Sequence, residues 1–337
     1  GKRAYLLSPP VVGFFEFSMM RAKDAIPKKR MAEALRAYTS GDPAFAREVF
    51  GRDTVIGRSL VHETALADDV PEVLAWQRAT EVVGGARRWA VSLCLCRHTA
   101  EHLGDRCDAP MDNCLSLNGG AEFVIRRGFG RPVEKAEALE ILARSRQSGL
   151  VQIADNVKSH PTFVCNCCGC CCEQLRSISH WGLPAVNPSG FTPRHDAARC
   201  AGCSRCARAC PVGAIEMAPV REKASRKNGL VPRIDEETCI GCGVCAGACR
   251  KDALSMVPGG KTRPVPASAI ERVVRQALER NRLADLLFDE GPGLGSRFLY
   301  RAVDAIVALP PAQALLAQEQ VRSRFVKAAL KRFRGAS

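Results

Sequence analysis

Eight cysteines between Cys200 and Cys249 stand in two matched runs, and no other feature of the 337 residues constrains the chain as strongly. The first run is Cys200-x2-Cys203-x2-Cys206-x3-Cys210-Pro211, and the second is Cys239-x2-Cys242-x2-Cys245-x3-Cys249. Three thiols at two-residue gaps fit on one tight loop whose amide N–H groups also point at the sulfurs of a cubane cluster. The fourth starts a helical turn and reaches the neighbouring cluster. The expected ligand sets are Cys200, Cys203, Cys206 and Cys249 for one [4Fe–4S] cluster, and Cys239, Cys242, Cys245 and Cys210 for the other. Zinc sites more commonly use paired two-cysteine knuckles, so the spacing favours iron–sulfur.

The runs belong to an internal repeat. Pro193-Arg194-His195-Asp196 precedes Cys200 as Pro232-Arg233-Ile234-Asp235 precedes Cys239, and each cysteine of the first run recurs 39 residues later. Over roughly residues 190–258 the chain resembles the bacterial two-[4Fe–4S] ferredoxin family. Gly202, Gly241 and Gly243 suit its crowded loops. The resemblance implies a strand after each cluster, at Ala214–Met217 and Ala253–Met256. Arg250 stands where that family usually has proline, which touches local geometry but removes no ligand.

Ten further cysteines form two groups: Cys94, Cys96, Cys107 and Cys114, then Cys165, Cys167, Cys168, Cys170, Cys171 and Cys172. Trp89 to Cys96 alternates as a strand would, with Cys94 and Cys96 on one face, an arrangement suited to a chelate. Cys165, Cys168 and Cys171 repeat the two-residue gap of the ferredoxin loops, and Cys167 and Cys170 form another pair at that gap. A third cluster, or also a fourth, could be assembled across these segments. The alternatives are a redox-active thiol group, or zinc assisted by His98 or His102. His98 by itself reads as a surface or supporting residue. The order of a Cys-x-Cys-Arg segment, a Cys-x6-Cys-Leu segment, a Gly-Leu-Val strand, a CNCCGCCC-type run and a two-cluster module resembles a family of bacterial 4Fe–4S binding proteins. That resemblance spans about residues 1–258 and implies iron–sulfur binding without a substrate. Members often carry a winged-helix-like segment upstream, and Gly1–Pro10 looks like the exit from one.

The expected fold class is α+β, in four regions. Residues 1–90 read as mainly helical, 91–187 as a mainly helical cysteine-rich region, 188–258 as the two-cluster domain with a pseudo-two-fold repeat, and 261–337 as basic amphipathic helices. Within these, Met31–Tyr38 has a helical pattern, and a second helix is expected from Asp69 as N-cap to Gly84 and Gly85. Glu134–Ser148 reads as a helix stopped by Gly149, and Leu150–Ile153 as a strand. Arg221–Gly229 reads as a linker. Three C-terminal stripes follow: Ile270, Val273, Val274 and Leu278; Leu299, Val303 and Ile306; and Val321, Phe325, Val326, Leu330 and Phe333.

Eighteen cysteines in a long chain without a cleavable leader favour metal binding over disulfides, hence a reduced, cytoplasmic setting. The formal net charge of +14 admits nucleic acid, a membrane surface met by the C-terminal helices, or acidic proteins as partners. Aromatic content of 6% argues against a single-strand stacking platform. No dinucleotide-binding glycine loop, Walker loop or nucleophile elbow is present. The chain therefore reads as an electron-transfer protein or oxidoreductase subunit serving redox protein partners, rather than a stand-alone enzyme. The other reading is an iron–sulfur redox sensor that regulates transcription through a DNA-binding segment upstream.

Overall fold

The computed structural model describes residues 14–22, 25–70, 73–219 and 229–283. The first described element is a helix at Phe14–Met19, followed by helices at Lys28–Thr39 and Pro43–Phe50. The middle of the chain builds a sheet from β1 (Gly57–Leu60), β2 (Trp89–Ser92), β3 (Cys114–Leu117), β4 (Arg131–Val133), β5 (Val151–Asp155), β6 (Phe163–Cys167) and β7 (Val186–Asn187). Its order is β4-β2-β3-β6-β5-β1-β7, antiparallel except for the β1–β7 pair. The sheet takes strands from both sides of residue 90.

The cysteine-rich region carries helices as expected, at Leu95–Leu103, Asn118–Arg127, Lys135–Gln147 and Glu173–Trp181, and the strands expected from Trp89 and at Leu150–Ile153 are observed as β2 and β5; the remainder of the sheet was not expected. Its strands are two to five residues long, and every residue of β1 is buried. Burial on both faces removes the alternation by which a strand is recognised. One face packs Leu60, Val91, Leu115, Leu117 and Val164 against the helices Ala79–Gly84 and Lys135–Gln147. The other face carries Val151, Ile153, Cys165, Cys167 and Val186. Period-two geometry thus places the β6 thiols on the side where the chain continues into its second half.

The helix expected from Asp69 is also corrected. Among the described residues after Asp69, helical structure begins at a short 3-10 turn, Ala75–Gln77, and the helix proper at Ala79. The Asp69 carboxylate is engaged by both terminal nitrogens of Arg194 at 2.8 Å, and Leu66 bridges to Met256. Pro71 further disfavours helical backbone at Val70. The expected helix at 134–148 is observed as Lys135–Gln147, with Gly149 at φ 71° after it.

In the second half, β8 (Phe191–His195) pairs with β11 (Leu254–Pro258), and β9 (Ile215–Pro219) with β10 (Leu230–Ile234). A shift of 39 residues turns β8 into β10 and β9 into β11, and the register of one ladder reproduces that of the other: His195↔Leu254 becomes Ile234↔Ile215. Backbone conformation repeats as well, since positive φ at Gly202, Ser204 and Gly213 recurs at Gly241, Gly243 and Asp252. The short helices Arg205–Ala209 and Val244–Gly247 follow the same shift.

The halves are joined closely. His62 N–H donates to the Cys242 carbonyl at 2.9 Å, and Gly243 abuts His62 and Ala65. The helix Ala269–Glu279 carries the first C-terminal stripe, burying Val274 and Leu278 and leaving Ile270 exposed. Its Arg272 is ion-paired with the fully buried Asp155 of β5. The second and third stripes, residues 221–228 of the linker and Gly1–Pro10 lie outside the described residues. Among the described residues no helix is long and apolar enough to cross a membrane.

Candidate metal centres

The eight cysteines of the repeat separate into two neighbourhoods. Cys200, Cys203, Cys206 and Cys249 line one cavity of about 240 Å³, together with Met217, Pro232, Leu254 and the basic Arg205, Arg250 and Lys251. Cys210 acts on each of Cys239, Cys242 and Cys245; Cys239 also acts on Cys242 and Cys245, and Cys239 itself feels Asp235 and Glu236. Each neighbourhood therefore draws three thiols from one loop and one from the other half of the repeat. Cys203 is exposed, whereas Cys242 and Cys245 are buried. Burial pushes the Cys242 thiol up to about 12, with Cys210 and Cys239 adding to the effect. Such a thiol ionises readily only against a cation.

Backbone amides point at these sulfurs. Gly202 N–H donates to Cys200 Sγ at 3.4 Å, Ala214 N–H to Cys210 Sγ at 3.2 Å, and Ala253 N–H to Cys249 Sγ at 3.3 Å. The Ala214 and Ala253 bonds are equivalent under the repeat. Sulfur-directed amides offset thiolate charge, and a cavity walled by four cysteines leaves room for a polynuclear core. The residues present fit a cubane cluster.

The ten remaining cysteines divide differently from their order in the sequence. Cys107, Cys168, Cys170 and Cys171 bring their Sγ atoms within 4.8 Å of one another. Cys107 follows the helix Leu95–Leu103, and the other three lie on the turn that leaves β6, closed by Cys172 N–H donating to the Cys168 carbonyl at 3.2 Å. The other six make a connected series. Cys114 on β3 lies 3.9 Å from Cys165 on β6. Cys165 meets Cys167, Cys167 meets Cys172, Cys172 meets Cys96, and Cys96 meets Cys94. Within the series the Cys172 thiol is held down near 6 by hydrogen bonds from Cys167 and Cys96, and Cys165 is likewise held low, chiefly by Cys114.

Two sequence expectations change here. Strand β2 stops at Ser92, and Cys94 instead caps the helix Leu95–Leu103, with Cys96 in its first turn. The two thiols still meet, through a helix start rather than a strand face. His98, read as a surface or supporting residue, is buried, which removes the first of these: Nδ1 lies 2.6 Å from the Met19 carbonyl, and Nε2 lies 3.2 Å from His102 Nε2.

Sequence reasoning passed over Arg97, which is fully buried between the two groups. Its Nη1 donates to Cys168 Sγ at 3.4 Å, and its Nη2 donates to the Asn113 side chain and to the Asn166 carbonyl. Burial opposes its charge, and the charges that support it come from Cys94, Cys168 and Cys167. A buried guanidinium requires anions, and here sulfur supplies them. Reciprocally, Cys168 is held down to about 4, first by a hydrogen bond from Cys171 and then by Arg97. An arginine beside a Cys-x-Cys pair was the available signal, but a neighbour in sequence does not reveal burial.

A family model described as a 4Fe-4S dicluster domain matches residues 199–253. No curated protein matches the chain, and no solved structure does. The matched residues contain all eight cysteines of the repeat and none of the other ten. The match and the cysteine groups together support a 4Fe–4S binding protein.

Proposed function

We propose that the chain is an iron–sulfur electron-transfer protein with two [4Fe–4S] clusters, one held by Cys200, Cys203, Cys206 and Cys249 and the other by Cys239, Cys242, Cys245 and Cys210. A further iron–sulfur centre is assigned to the series Cys94, Cys96, Cys114, Cys165, Cys167 and Cys172. The observation that carries the reading is the cavity in which Cys249 joins three thiols from the opposite half of the repeat. Bound clusters supply one-electron chemistry, tuned by hydrogen bonds to sulfur and by solvent exposure.

The protein's residues give that chemistry a direction. The Cys200 site opens at exposed Cys203 and is rimmed by Arg205, Arg250 and Lys251, a surface complementary to an acidic redox protein. The Cys210 site faces inward: Cys210, Cys239 and Cys242 pack in one apolar cluster with Cys165, Cys167 and Cys172. It stands between the basic entrance and the six-thiol series.

The test is an iron and acid-labile sulfide count on the full chain after anaerobic reconstitution. About eight of each are expected from the repeat, and about twelve with the further centre. The double variant Cys203→Ala/Cys249→Ala should lose about four of each, and Cys203→Ala/Cys210→Ala about eight. The opposite pattern would mean that each run holds its own cluster.

A further inference from the structure

The thiols of Cys107, Cys168, Cys170 and Cys171 are packed together as a group of four. Cys107 Sγ lies 3.6 Å from Cys168 Sγ and 3.9 Å from Cys171 Sγ, and Cys170 Sγ lies 3.7 Å from Cys171 Sγ. A tetrahedral ion with metal–sulfur bonds of about 2.3 Å separates its ligands by about 1.63 times that length, or ~3.8 Å. A cubane core stands between its ligands and holds them roughly 6 Å apart. Among the described residues, this quartet is the one group of three or more cysteine, histidine or carboxylate ligand atoms lying within 4.8 Å of one another. The eight cysteines of the repeat form no such group.

We propose that Cys107, Cys168, Cys170 and Cys171 bind one tetrahedral divalent ion, of the zinc or ferrous class, as a centre distinct from the iron–sulfur clusters. Four thiolates around a divalent ion carry a net charge of −2, and the Arg97 guanidinium on Cys168 compensates part of it in place. No histidine is needed: His98 and His102 face each other and the Met19 carbonyl. Four protein ligands leave no open coordination position, which marks a structural rather than a catalytic ion. Its effect is to tie the loop at Cys107 to the turn after β6. That turn carries Gly169, which rests on Pro211, the residue after Cys210. The assignment does not depend on what the repeat binds.

The test begins with the full chain, its clusters already assembled, titrated with cobalt(II) alone. One equivalent should bind with the intense visible bands of tetrahedral thiolate coordination. Weak octahedral bands, or no binding to a chain that also lacks the ion as isolated, would overturn the proposal. As isolated, the chain should contain about one zinc, or one iron in excess of sulfide. Cys170→Ser alters the exposed member of the quartet and should remove that ion while leaving sulfide unchanged. Cys107→Ser, from a distant segment, should do the same. A loss of about four irons and four sulfides from either variant would assign the quartet to a cluster instead.

Discussion

Gly169 stands against Pro211 so closely that a Cβ built on it would lie 2.4 Å from the Pro211 carbonyl oxygen and 2.9 Å from its Cα. The obstacle is backbone, so it cannot swing aside. The contact sets the turn bearing Cys168, Cys170 and Cys171 directly on the segment bearing Cys210. Gly169→Ala should therefore destabilise the protein by about 1–3 kcal/mol through overpacking. It should also perturb the EPR signal of the Cys210 site more than that of the Cys200 site. Thermal melting and EPR of the reduced variant check both parts, and an unchanged Cys210 signal would separate the two regions.

Arg97 gives a second expectation. Arg97→Gln removes a buried cation lying between the quartet and the six-thiol series. Metal bound by Cys94–Cys172 should fall while the iron assigned to Cys200–Cys249 stays near eight atoms. Arg97→Lys should not restore it, because a point charge cannot reach Cys168, Asn113 and Asn166 together as the guanidinium fork does. Metal and sulfide counts on the three proteins decide it.

Asp155 lies fully buried, with Oδ2 accepting from Thr162 N–H at 3.0 Å and Thr162 Oγ1 at 2.7 Å while Oδ1 pairs with Arg272. Asp155→Asn leaves a buried guanidinium without its counter-charge, at a cost of about 3–5 kcal/mol. Chemical denaturation of the cluster-loaded chain measures this. The double variant Asp155→Asn/Arg272→Met should recover much of the loss, since replacing both partners removes the stranded charge.

The parts legible in sequence were those whose causes are local. A three-thiol loop announces itself by spacing, and the 39-residue repeat placed β9 and β11 because equivalent residues meet equivalent neighbours. Lys135–Gln147 was legible from its apolar side and from Gly149. Of the seven-stranded sheet, β2 was legible from alternation at Trp89 and β5 from the run at Leu150–Ile153, whereas β1 was not, because it is short and every one of its residues is buried. Asp69 has the chemistry of an N-cap, but Arg194, 125 residues away, holds its carboxylate. Likewise Cys107 joins Cys168 across 61 residues, so the division of ten cysteines into four and six follows from the topology that brings β3 beside β6.

A reductive titration measures whether the cysteines of the repeat carry electrons. With the full chain reconstituted anaerobically, electrons taken up are counted against EPR signal. At least two electrons per chain are expected, one for each cluster of the Cys200–Cys249 repeat, with a reduced spectrum showing magnetic interaction between neighbouring centres. A chain whose eight repeat cysteines are metal-loaded but which accepts no electrons would contradict electron transfer by the repeat and make the repeat a zinc structure.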